Sequence, residues 1–76
     1  MEEETFALDG EYVELNQLLK LCGVAESGGA GKALVASGAV QVDGAVELRK
    51  TCKIRAGQVI VAEGLRIRVV ASDLAD

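Results

Sequence analysis

Gly38-Ala39-Val40-Gln41-Val42-Asp43-Gly44-Ala45-Val46-Glu47-Leu48 is the stretch with the most explicit local instruction in the chain. Two short runs rich in β-branched residues flank Asp-Gly, the pair that best tolerates the left-handed backbone of a two-residue type I′ turn. Val40–Val42 and residues 45–48 are therefore predicted as strands of a tight hairpin. Downstream, Val59-Ile60-Val61 and Leu65-Arg66-Ile67-Arg68-Val69 read as two more strands joined through Glu63-Gly64. The last one alternates apolar with basic residues, which places Arg66 and Arg68 together on an exposed face. Upstream, counting from Val13, the residues Leu15, Leu18, Leu19 and Cys22 recur at the spacing of one helical face, with Gly23 as a stop. Ser27 is suited to cap a second helix that carries Ala30, Ala33 and Leu34 on one face and ends at Gly38. Residues 5–8 suggest a short strand before the turn signal Asp9-Gly10. Without proline, repeat or low-complexity run, residues 1–76 read as one α+β domain, in which two short helices pack against a small bent antiparallel sheet.

A chain of 76 residues buries only about 60% of the surface its unfolded form exposes. The apolar half of the composition includes just two aromatics, Phe6 and Tyr12, so Val, Leu, Ile and Ala must build the core. The acidic start Met1-Glu2-Glu3-Glu4 is the reverse of a secretory signal, and no segment approaches the apolar length of a membrane span. A cytoplasmic location away from membranes is expected. Cys22 and Cys52, with no histidine in the chain, cannot form a disulfide scaffold or a zinc site of ordinary spacing. They are expected to be reduced thiols, Cys22 being protected on the apolar helix face.

The net charge of −4 argues at first against a phosphate-bearing partner. Its distribution reverses that. Residues 1–31 hold seven acids and one base, whereas residues 32–68 hold seven bases (Lys32, Arg49, Lys50, Lys53, Arg55, Arg66, Arg68) against three acids. The remaining acids, Asp73 and Asp76, lie at the end. Such polarisation is the electrostatic footprint of a phosphate binder on an otherwise acidic protein.

Gly28-Gly29-Ala30-Gly31-Lys32 imitates the end of a phosphate-cradling P-loop, but Glu26 and Ala33 occupy the positions that need Gly and Ser or Thr. What survives is a glycine-rich helix start with Lys32 on its first turns, which could attract anions or merely connect two helices. Acid–base catalysis lacks a histidine, and neither cysteine has a base in sequence reach, so an enzyme is not expected and no cofactor is implied. Arg49-Lys50-Thr51-Cys52-Lys53-Ile54-Arg55 is the densest basic run. Because aromatics are scarce, backbone and shape readout of folded RNA fits better than base stacking.

The order of these features, two helices separated by Gly and Ser, then Gly38–Gly44, a basic stretch and Lys53-Ile54-Arg55-Ala56-Gly57-Gln58-Val59-Ile60-Val61, resembles the S-four (S4) RNA-binding domain. Val13-Glu14-Leu15, Leu18-Leu19-Lys20, Glu26-Ser27-Gly28-Gly29 and Val42–Glu47 with Arg49-Lys50 are similar to its small stand-alone bacterial members of the YbcJ type. The resemblance, from about Val13 to Val70, implies RNA bound by the helical hairpin and the neighbouring basic loop and strand. Carried over by position, it points to Ser27, Lys32, Arg49, Lys50 and Lys53, with Arg55 after them and Arg66 and Arg68 last. The partner it implies is structured RNA, ribosomal RNA or a ribosome assembly intermediate, and any catalysis would come from a partner such as an RNA-modifying enzyme. Gly28 and Gly29 stand where many members have an Arg after the Ser, which removes one expected phosphate contact. The rival expectation is a protein-interaction module that keeps the fold and docks through its acidic ends or an exposed sheet surface.

Overall fold

The computed structural model describes residues 1–72; the acidic end at Asp73 and Asp76 lies outside them. The elements run β1 (Glu2–Leu8), β2 (Val13–Glu14), α1 (Leu15–Leu21), α2 (Gly28–Ala36), β3 (Val40–Val42), β4 (Ala45–Val46), β5 (Lys53–Ile54), β6 (Val59–Ala62) and β7 (Leu65–Ala71). The α+β class is as expected. Five strands form one sheet in the order β1-β7-β6-β3-β4, and β2 pairs with β5 in a separate two-stranded ladder.

Both predicted hairpins are present. Asp43 (φ 52°) and Gly44 (φ 86°) turn β3 into β4, and Glu63 (φ 52°) and Gly64 (φ 78°) turn β6 into β7. Each turn needs left-handed backbone at both central residues, hence glycine at the second. Asp43 is held there by its carboxylate, which accepts from the Val59 amide at 3.0 Å and the Gln58 side chain at 3.2 Å.

The strand expected over residues 5–8 is longer and joins the sheet in parallel, with Glu2 opposite Leu65 and Leu8 opposite Ala71. The sheet is therefore mixed rather than purely antiparallel. Strand alternation sets its inner face: Val40, Val42, Ile60, Ala62, Ile67 and Val69 are buried, while Gln41, Arg66 and Arg68 face outward. The inner residues share one core cluster with Leu8, Leu15, Leu18, Leu19, Val35 and Ile54.

Two details of the helices differ from expectation. Val13 is not helical: it pairs with Ile54, and Glu14 with Lys53, so the chain reaches α1 from a strand. On α2, Ala30 and Ala33 are exposed and the buried positions are Gly31 and Val35, beside half-buried Leu34. The small residue that permits close packing is Gly31, because a Cβ there would stand 2.6 Å from the backbone oxygen of Asn16. Ser27 caps α2 as predicted, its Oγ accepting from the Ala30 amide at 3.0 Å.

Candidate nucleic-acid interface

The start of α1 organises the basic residues. Glu14, its N-cap, makes no side-chain cap bond, so the first amides must be satisfied otherwise. The Leu15 amide donates to the Cys52 carbonyl at 2.9 Å and the Asn16 amide to the Lys50 carbonyl at 3.1 Å. These bonds fasten the basic loop to the helix end. From the other side, Gly31 lies against the Asn16 backbone, and Gly28 lies close to the Asn16 and Gln17 side-chain amides. Asn16 itself is 2% exposed, and its Oδ1 has no hydrogen-bond partner among the described residues. One buried residue thus ties the segment bearing Ser27 and Lys32 to the segment bearing Arg49, Lys50 and Lys53, far away in sequence.

Ser27, Lys32, Arg49, Lys50, Lys53 and Arg55 are all exposed, but their states differ. Ser27 is engaged as the cap of α2. Lys32 and Lys50 make no ion pair among the described residues. Arg49 grips Glu47 with both prongs, Nε to Oε2 at 2.9 Å and Nη2 to Oε1 at 3.0 Å, and its backbone amide donates to the same carboxylate at 2.8 Å. The Arg49 side-chain bond, followed by the backbone bond, holds the Glu47 carboxyl at about 2. The pair is nearly neutral, so Arg49 offers less attraction to phosphate than its sequence position suggests. Arg49, Thr51, Cys52 and Lys53 line an open cleft of about 400 Å³ beside this pair.

Lys53 and Arg55 frame a residue that sequence reasoning passed over. The Lys53 Nζ stands 4.9 Å, and the Arg55 guanidinium carbon 5.7 Å, from the ring centroid of Tyr12. Arg55 Nη1 also donates to the Glu11 carbonyl at 3.4 Å. A lone tyrosine just before a two-residue strand carries no local signal of this; only the pairing of β2 with β5 brings the residues together.

The second basic pair is partly offset. Glu3 on β1 reaches Arg66 and Arg68 on β7, each at 3.6 Å. These bridges are exposed and individually weak, yet they put a carboxylate over the arginine face. Beyond that edge, Glu2, Glu3, Glu4 and Glu63 line an acidic groove with Cys22, Gly23, Val24 and Leu65. Burial, reinforced by the charge of Glu4, pushes the Cys22 thiol up to about 11. Cys52 is shifted upward as well, mainly by burial. Both stay protonated near neutrality, which disfavours nucleophilic use. Among the described residues no cluster of three or more His, Cys, Asp or Glu could hold a metal, and no helix is long and apolar enough to cross a membrane.

This arrangement of a helix pair, hairpin and basic loop has counterparts among known proteins. A family model described as S4 domain matches residues 6–70. The chain belongs to the S4 domain family. Two relatives, "Putative RNA-binding protein YbcJ" of Escherichia coli (strain K12) and "Uncharacterized protein YbcJ" of Shigella flexneri, are each 53% identical to it over 68 residues, spanning 88% of this chain and 97% of theirs. The solution structure of E. coli YbcJ, described as revealing an alfaL motif involved in RNA-binding, superposes with a TM-score of 0.68 over 88% of this chain and 86% of that one. This S4 domain therefore shares both sequence and backbone with YbcJ.

Proposed function

We propose that this S4 domain binds structured RNA through the exposed basic surface built around Asn16, and that its target is ribosomal RNA or a ribosome assembly intermediate in the cytoplasm. The observation that carries the reading is the selective pairing of charges. Glu3 covers Arg66 and Arg68, and Glu47 covers Arg49, while Lys32, Lys50, Lys53 and Arg55 keep their charges unpaired by carboxylates among the described residues. A phosphate backbone meets one basic region rather than a uniformly charged molecule. The RNA-binding description of YbcJ, at 53% identity, supports the same reading. The domain contributes binding, and any chemistry on the RNA belongs to a partner enzyme.

The test is binding to labelled ribosomal RNA fragments as a function of salt, for the wild type and for a variant with Lys32, Lys50, Lys53 and Arg55 changed to Glu. Neutralising about four phosphates gives a log–log slope near −3. The wild type should show that slope and the variant should lose binding while remaining folded by circular dichroism. A slope near zero removes the electrostatic reading. A second reading, docking on a protein, is favoured by Val46 and Leu48, which are 55% and 60% exposed on and beside the edge strand β4. Capture from lysate with and without nuclease separates the two, since partners held through RNA are released by nuclease.

A further inference from the structure

We propose that Tyr12 is a stacking platform for one unpaired nucleobase, with Lys53 and Arg55 receiving the adjoining phosphates. The inference rests on the RNA-binding reading and adds to it a preference for RNA that offers an unpaired base.

Three observations point to this role. First, Tyr12 is 41% exposed and stands outside the core cluster and its apolar surround. Its hydroxyl makes no hydrogen bond within the described residues, so this end of the side chain is left to solvent or a ligand. Second, the ring is held in place. In the β2–β5 ladder Val13 faces Ile54 and Glu14 faces Lys53, and continuing that register sets Tyr12 opposite Arg55 and diagonal to Lys53. Ile54 between the two cations is fully buried, so strand alternation turns Lys53 and Arg55 to the side where Tyr12 lies. Third, both cations lie over the ring, at 4.9 and 5.7 Å from its centroid. A base that stacks on the ring takes the place of these exposed cations over its face and leaves them to the adjoining phosphates, so the site serves both halves of a nucleotide. A single such site leaves backbone contacts in charge of overall affinity and lets one position discriminate between paired and unpaired RNA.

The protein contains one tyrosine and no tryptophan, so its intrinsic emission reports Tyr12 directly. The probes are two RNA hairpins with the same stem, one fully paired and one with a single bulged adenosine. The bulged hairpin should quench the tyrosine emission more than the paired one. Tyr12→Ala should weaken binding of the bulged hairpin by roughly 5- to 150-fold, the range for removing one stacking aromatic, and leave the paired hairpin unaffected. Tyr12→Phe should bind like the wild type, and its unfolding curve should confirm an intact fold. Equal losses on both hairpins, or no loss on the bulged one, would overturn the stacking role while salt-sensitive binding by the wild type kept the RNA reading intact. If the wild type binds neither hairpin at low salt, the RNA reading fails and the platform with it.

Discussion

Replacing Gly31 by Ala sets two calculable effects against each other. Ala is favoured over Gly by about 0.8–1.0 kcal/mol inside a helix, so on propensity alone the variant would be more stable. The structure opposes this. The new methyl group would stand 2.6 Å from the Asn16 oxygen and 3.3 Å from its carbonyl carbon and Cα. Because the obstacle is backbone, it can yield only if α1 moves against its amide bonds to Cys52 and Lys50. Overpacking of this kind costs about 1–3 kcal/mol, and a rigid obstacle belongs in the upper part of that range. The net expectation is a loss of about 1–2 kcal/mol, which for a domain of this size lowers Tm by roughly 4–16 °C. Gly29→Ala is the control, since its Cβ would meet only the Ser27 Oγ at 3.9 Å. There the propensity gain, smaller in the first turn than in the helix interior, is unopposed, and Tm should be unchanged or slightly raised. Thermal and urea unfolding followed by far-UV circular dichroism measure both. A Gly31→Ala variant as stable as the wild type would refute the claim that the helices meet too closely for any side chain at that position.

The Glu47 carboxyl, ordinarily near 4.5, is held at about 2 by Arg49, so the pair supports the folded state above pH 4.5 and that support is lost as pH falls through 2. A carboxyl NMR titration should show the low midpoint, and Arg49→Ala, which removes the guanidinium but keeps the backbone amide bond, should raise it part of the way back to the ordinary range; an ordinary midpoint in the wild type would disprove the pairing. Cys22, raised from 9.0 to about 11, has roughly a hundredth of the usual thiolate population at neutral pH. Greater intrinsic nucleophilicity recovers about tenfold of that, so in a Cys52→Ser variant Cys22 should react with a disulfide reagent about tenfold more slowly than an unhindered thiol. The same shift means that its contribution to stability is complete below pH 9 and is lost as pH rises through 11.

Much of the fold was legible because its signals are local. Asp43-Gly44 and Glu63-Gly64 announce left-handed turns through residue type alone, and the alternation of Leu65 to Val69 assigns Ile67 inward and Arg66 and Arg68 outward without reference to another strand. Ser27 announces a cap for the same reason, since its acceptor and the Ala30 amide lie three residues apart. The inward face of α2 was misread: Ala30, Ala33 and Leu34 satisfy a helical period, but Gly31 is buried because α1 approaches so closely there. Periodicity ranks side chains by hydropathy, and glycine has none to rank. Val13 was drawn into the helical pattern because its strand partner Ile54 is supplied from a distant part of the chain.

The candidate site divides along the same line. Composition alone separates an acidic first part from a basic middle, and thereby limits the phosphate-binding candidates to Lys32, Arg49, Lys50, Lys53, Arg55, Arg66 and Arg68. Which of those charges remain available was decided by tertiary structure. Parallel addition of β1 to β7 brings Glu3 onto Arg66 and Arg68, the backbone course after β4 lets Glu47 hold Arg49, and pairing of β2 with β5 sets Tyr12 under Lys53 and Arg55. Charge is a property of a residue type and can be counted along a chain. Its neutralisation depends on separations of about 3–4 Å, between residues far apart in sequence for Glu3 with Arg66 and Arg68 and between near neighbours for Glu47 with Arg49, and only the folded backbone sets those distances.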